Sequence, residues 1–191
     1  MAYTTIDDPE AYFQVELWTG TGSSFSLTFD GDTNMQPDMV WKKERSGTEN
    51  HTLTDVIRGN SLYLQPSGIT SDGTTTEGIK SFDSDGFTIG TDDDVNTNTE
   101  TYVAWCWKAG GSGGAQTDGD IDTVRSTNTT SLFTIATYEA SGTNGNTLGH
   151  GLGVTPGLYW IKNRDGAGED AWRVYHHKNT AAPETDFLIL N

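Results

Sequence analysis

The sequence predicts an all-β protein folded as an antiparallel β-sandwich, and two observations favour this class. The chain of 191 residues contains 23 glycines, and Gly, Ser, Asp and Asn form turn signals such as Asp85-Gly86 between short β-rich runs. A helix start is legible only at Asp8, which can cap a helix whose first residue is a proline. We therefore expect one short N-terminal helix or turn over residues Pro9 to Phe13.

The composition excludes several classes of protein. A net charge of −16 argues against binding to nucleic acid or to anionic lipid, because both need a basic surface. No apolar run approaches the roughly 20 residues of a membrane helix, and residues 1–5 lack the features of a signal peptide. Cys106 is the single cysteine, so neither an intrachain disulfide nor a cysteine-based zinc site is expected.

The chain contains an internal repeat. Gln36–Arg45 resembles Thr155–Arg164, with Pro, Trp, Lys and Arg at one constant offset. Two further pairs of segments resemble each other in the same order: Leu17–Gly22 with Thr137–Gly142, and Ser61–Gln65 with Phe187–Asn191. In the first copy Met39 and Trp41 alternate onto one strand face, while Val40 and Lys42 lie on the other.

The strongest strand is Thr101–Lys108. Both of its faces are apolar, which predicts a central strand buried on both sides. The domain organisation that follows is an attachment segment at 1–14, a complete sandwich at 15–109, a flexible linker rich in Gly, Ser, Thr and Asp at 110–131, and a partial second sandwich at 132–191. Because the second copy lacks the last strands of the first, we expect the polypeptide to continue past Asn191 or a neighbouring subunit to supply those strands.

Reactive groups are few. The four histidines show no metal-binding pattern, and no nucleophile elbow, phosphate loop or carboxylate pair predicts an enzyme or a bound cofactor. No metal site is predicted, and calcium is the alternative hypothesis, because two acidic clusters supply the oxygen ligands that it prefers. The candidate ligands are Asp83, Asp85, Asp92 and Asp94.

Two sets of aromatic and apolar residues are candidate contact sites. Flat aromatic faces pack against sugars, which makes a glycan site an alternative to simple burial for three of them: Tyr159, Trp172 and Tyr175. Apolar residues that precede the first sandwich strand predict attachment to another protein instead of to their own sandwich: Tyr3, Ile6, Tyr12 and Phe13.

Several motifs together resemble a repeat unit of structural proteins in tailed phages, many of them marine. The motifs of the first copy are Asp7–Phe13, Gln36–Arg45, Ser81–Phe87 and Tyr102–Gly110, and those of the second are His150–Pro156 and Trp172–His176. The resemblance implies a concanavalin-A-like, laminin-G-like or jelly-roll sandwich. Lys42 departs from the usual apolar residue after the Trp, which favours an edge position for its strand.

The resemblance also implies a function. It indicates a structural component of a tailed-phage virion, most simply a tail fibre or tail-associated protein that acts in attachment to the host surface. A capsid-attached fibre or decoration protein is the alternative, and a polysaccharide-degrading enzyme is a weaker one. Such a protein assembles in the host cytoplasm, contacts other virion proteins through its N-terminal segment, and forms homo-oligomers, with a host-surface glycan as a further partner.

Overall fold

The computed structural model describes residues 6–165 and 170–190, and it confirms the all-β antiparallel class. The strands are β1 (Phe13–Thr19), β2 (Phe25–Thr28), β3 (Met39–Glu44), β4 (Thr52–Asp55), β5 (Gly59–Leu64), β6 (Gly73–Thr74), β7 (Ile79–Asp83), β8 (Gly86–Ile89), β9 (Thr101–Trp107), β10 (Gly114–Gln116), β11 (Thr123–Asn128), β12 (Phe133–Tyr138), β13 (Leu158–Ile161), β14 (Arg173–His176) and β15 (Leu188–Ile189). Helical structure in the described ranges is limited to a 3₁₀ turn at Pro9–Ala11, capped by Asp8, and the short helix α1 at Asp93–Asn96. No helix there is long and apolar enough to cross a membrane.

The first repeat forms a two-layer sandwich. A six-stranded sheet in the order β1-β9-β3-β4-β5-β6 packs on a three-stranded sheet in the order β2-β8-β7. The core between them includes Trp18 from β1, whose ring makes an edge contact with Phe87 of β8 at 6.0 Å. As expected, β9 is central: Tyr102 and Cys106 are fully buried in this core, while Trp107 packs on the opposite side of the sheet.

Strand β3 is not at an edge. It pairs with β9 on one side and with β4 on the other, so the edge position favoured by Lys42 is wrong. The Lys42 side chain is only 2% exposed, and its amine donates to the main-chain carbonyl of Asp94 in α1. A lysine fits inside the sandwich here because its aliphatic stem packs in the core while its amine reaches a carbonyl and nearby carboxylates.

The second repeat reproduces a meander of the first. Strands β13, β14 and β15 form a sheet in that order, as β3, β4 and β5 do within the larger sheet. The register is the same, because Trp41 lies opposite Leu53 and Trp160 lies opposite Val174. The repeat seen in the sequence is therefore a repeat of strand pairing.

The two repeats pack against each other through their tryptophan faces. The rings of Trp41 and Trp160 meet edge to face, with centroids 5.5 Å apart. Arg164 also forms an ion pair with Asp72 of the first repeat, with Nε and Oδ2 2.7 Å apart. One face of the second repeat thus packs partly on the first repeat, and the expectation that a continuation of the polypeptide or a neighbouring subunit supplies further strands stays a prediction.

The segment 110–131 is not a flexible linker. It contains the whole of β10 and β11, which pair with each other, and β11 also pairs with β12 in a third small sheet. Its glycines permit close approach: a Cβ on Gly110 would lie 2.5 Å from the carbonyl oxygen of Thr127. Asp38, which is buried, fixes the start of the segment by accepting hydrogen bonds from the amides of Ala109 and Gly111.

Candidate functional site

One face of the sheet β13-β14-β15 packs partly on the first repeat, with Val174 buried and Leu158 and Leu188 still exposed, and no sheet of the described residues covers the other face. Side chains alternate along each strand, and those of the paired residues Trp160 and Val174 point toward the first repeat. The register places the remaining side chains together on the opposite side. We call this side the outer face, and it consists of Tyr159, Ile161, Arg173, Tyr175, Phe187 and Ile189.

The outer face is aromatic and aliphatic, with one cation. The rings of Tyr159 and Tyr175 stack with centroids 4.7 Å apart and planes 10° apart. The Arg173 guanidinium lies over the Phe187 ring, 4.3 Å from its centroid, in a cation–π contact. Phe187 and Ile189 are each more than half exposed. Contiguous apolar surface of this kind marks interaction sites on soluble proteins.

The equivalent face of the first repeat is buried. Tyr159 and Ile161 align with Val40 and Lys42, which point into the core beneath the β2-β8-β7 sheet. Among the described residues of the second repeat no such sheet covers the outer face. The outer face is thus the second repeat's version of a surface that the first repeat covers with three strands.

Charge around the outer face is nearly balanced. Residues 157–191 carry four Lys and Arg against five Asp and Glu, whereas residues 1–156 carry seven against 22. Repulsion between this region and another acidic protein is therefore weaker than elsewhere on the molecule.

Of the three candidate glycan residues, the structure brings two together. Tyr159 and Tyr175 form the stacked pair of the outer face. Trp172 lies on the other side, is 4% exposed, and donates a hydrogen bond from Nε1 to the carbonyl oxygen of Gln65 at 3.0 Å. A buried indole cannot serve as a sugar platform, so the prediction for Trp172 is wrong.

A comparison with known protein families found a match for the chain. A protein-family model described as a domain of unknown function (DUF7483) matches residues 8–191. The chain belongs to the DUF7483 family. The match runs from the first strand to beyond the last, so the DUF7483 unit spans both repeats, in keeping with the packing of the second repeat on the first. No curated protein and no solved structure matches the chain.

The calcium candidates of the DUF7483 chain do not converge. Asp83 accepts hydrogen bonds from the hydroxyls of Ser81 and Thr88, and Asp85 accepts one from the Met35 amide, both at the β7–β8 hairpin. The other pair, Asp92 and Asp94, lies at the start of α1. In the described residues no group of three or more acidic, His or Cys side chains could hold a metal ion.

The acidic pair at α1 instead faces a buried amine. Burial lowers the pKa of Lys42 to about 8, and the nearby carboxylates of Asp94, Asp92 and Glu49 limit that fall. Amines with a lowered pKa are potential nucleophiles. The cavity beside Lys42 measures about 10 Å³, which holds a single water molecule at most. We therefore interpret Lys42 as a structural group.

The histidines have local structural partners. His51 accepts a hydrogen bond from Trp41 Nε1 at 2.9 Å, and burial followed by the charges of Lys43 and Lys42 lowers its pKa. The rings of His176 and His177 stack on each other at 5.2 Å.

The predicted attachment segment is partly integrated into the sandwich. Phe13 begins β1, and its ring contacts Trp107 at 5.1 Å, while the carbonyl of Tyr12 accepts a hydrogen bond from the Lys108 amide. The expectation that residues up to 14 avoid their own sandwich is therefore wrong for Tyr12 and Phe13. Ile6 precedes the 3₁₀ turn and is half-buried, and Tyr3 lies outside the described residues.

Proposed function

We propose that this chain is a structural component of a tailed-phage virion, most simply part of a tail fibre or tail-associated protein that acts in attachment to the host surface. The virion assignment rests on the resemblance of the sequence motifs to those of phage structural proteins. The structural observation that carries a contact role is the outer face, whose aromatic and aliphatic groups are suited to binding by surface complementarity.

The outer face is also held rigid from behind. Trp160 and Val174, on the opposite side of the same sheet, are packed toward the first repeat. Aromatic groups fixed in place lose little conformational entropy on binding, which is the property that a contact surface needs. Rigid stacked sheets also suit a projecting fibre, which must transmit load without rearranging.

Localisation on particles tests the proposal. An antibody against the purified chain, with a gold-labelled second antibody, is applied to phage particles whose genome encodes it. Labelling at the tail is the expected result, and pre-incubation of host cells with the purified chain is expected to reduce phage adsorption. Labelling confined to the capsid would indicate a capsid-attached fibre or decoration protein instead. Particles without label would overturn the virion assignment.

A further inference from the structure

We infer that the outer face is the interface with a second copy of this chain, placed face to face across a two-fold axis. The inference deepens the proposed function, because it names the partner of the contact surface, and it rests on that function only for its place in a virion. It starts from the composition of the face. Ile161 and Ile189 lie on either side of Arg173, in the row next to the stacked tyrosines, and aliphatic groups favour a protein surface over a sugar, whose hydroxyls need hydrogen-bonding partners.

The internal repeat indicates the shape of the partner. In the first repeat, the surface around Val40 and Lys42 is covered by the β2-β8-β7 sheet. The positions that align with them in the second repeat, Tyr159 and Ile161, belong to the outer face. The appropriate cover is therefore another sheet with apolar side chains on alternate positions, packed at the usual separation of about 10 Å.

A second copy supplies such a sheet. Its own β13-β14-β15 outer face presents the same alternation, and a two-fold axis places this face against the identical face of the other copy. Within one chain, the β13-β14-β15 meander already packs against the β3-β4-β5 meander, since the rings of Trp41 and Trp160 join the two repeats through their other faces. Face-to-face packing of these sheets is therefore a contact that the sequence supports.

Charge and area are compatible with this partner. Two chains of net charge −16 repel each other, but residues 157–191 are nearly neutral, so the outer face is where two copies can approach with least repulsion. The exposed parts of its six side chains amount to about 500 Å² on each copy, given that an aromatic residue buries 150–250 Å². About 1,000 Å² in total is the lower limit for a specific interface, so we expect a weak dimer.

The experiment is sedimentation velocity of the whole chain at about 1 to 200 μM, a range suited to a weak dimer. The wild type is expected to sediment as a concentration-dependent dimer. The double variant Ile161→Lys, Ile189→Lys is expected to raise the dimer dissociation constant at least about 100-fold, because both positions lie opposite Arg173 and the two-fold axis then brings six cations into one contact. Its circular dichroism spectrum is expected to stay that of the wild type, which shows that the variant is folded, since Ile189 is 53% and Ile161 36% exposed.

Leu17→Lys is the matched control. Leu17 is 55% exposed on β1, away from the outer face, and this variant is expected to dimerise as the wild type does. A folded wild type that stays monomeric to 200 μM would overturn the inference, as would equal loss of dimer in the control. A monomer that binds host polysaccharide, with binding lost in Tyr159→Ala, would assign the face to a glycan instead. None of these results changes where antibody labels the particle, so failure here and failure of the virion proposal are distinguishable.

Discussion

Replacing the buried lysine of β3 gives a pH-dependent change in stability that can be worked out from the structure. The amine of Lys42 donates to the Asp94 carbonyl inside the sandwich, and burial lowers its pKa from 10.5 to about 8. The unfolded chain therefore binds more protons than the native chain between pH 8 and 10.5. Since stability rises with pH wherever the unfolded state binds more protons, the contribution of Lys42 becomes less unfavourable across this window.

The magnitude follows from the two pKa values of Lys42. One pKa unit corresponds to about 1.4 kcal/mol, so the contribution of Lys42 to the free energy of unfolding rises by about 3 kcal/mol across the range between its two pKa values. About 2 kcal/mol of this rise falls between pH 7 and 9.5. Measurements on the wild type alone do not isolate the contribution of Lys42. Burial also raises the pKa of Cys106, Tyr63 and Tyr102, and ionisation of these groups in the unfolded chain lowers stability in alkaline solution.

The difference between the wild type and Lys42→Met isolates the lysine, because the other groups are present in both proteins. Urea unfolding followed by tryptophan fluorescence, at pH 7, 8, 9 and 9.5, gives the free energy of unfolding of each. We expect the wild type to gain about 2 kcal/mol relative to Lys42→Met between the first and last pH. Lys43→Met controls for the loss of one positive charge on the same strand.

A difference in unfolding free energy between wild type and Lys42→Met that stays constant with pH would refute the reasoning. It would mean that water or an open conformation solvates the Lys42 amine in the native protein. A difference that changes in the opposite direction would mean that the carboxylates of Asp92, Asp94 and Glu49 outweigh burial, so that the native protein holds the proton more tightly than the unfolded chain.

Two further predictions concern buried contacts. Arg58→Ala is expected to lower the free energy of unfolding by about 3 kcal/mol, because Arg58 is 3% exposed and its loss leaves the carboxylate of Asp55, 2.7 Å away, buried without an ion-pair partner. Asp72, which Arg58 also contacts at 3.0 Å, keeps its ion pair with Arg164. A loss below about 1 kcal/mol in urea titration would contradict this. A double-mutant cycle of Trp41→Phe and Trp160→Phe is expected to give a coupling energy of about 0.5–1.5 kcal/mol from their edge-to-face contact at 5.5 Å, and additive effects would show that the two repeats do not pack through these rings.

Patterns local to one strand were readable from the sequence. The two apolar faces of Thr101–Trp107 predicted a central strand, and β9 lies between β1 and β3. The Pro-x-x-x-Trp blocks predicted equivalent strands, and β3 and β13 pair with their neighbours in the same register. Both succeed because side-chain alternation along a strand is set by the backbone itself.

Three predictions failed for a shared reason. A polar residue at Lys42 suggested an edge strand, glycines near Gly110 and Gly113 suggested a linker, and Trp172 suggested an exposed ring. Each depends on what approaches from a distant part of the chain: a carbonyl of α1, the backbone of β11, and the carbonyl of Gln65. Nothing adjacent in sequence indicates these partners.

The sequence by itself determined that the chain is all-β, where its main strands lie, and that one meander occurs twice, because turn chemistry and alternation act over a few residues. Only the tertiary structure decided which apolar faces are covered. Trp160 and Val174 pack against the first repeat while the Tyr159 face stays open, although both faces look equally apolar in sequence. Burial is set by contacts between segments more than a hundred residues apart, such as Trp41 with Trp160, and it is this long-range choice that leaves the outer face as the candidate contact surface.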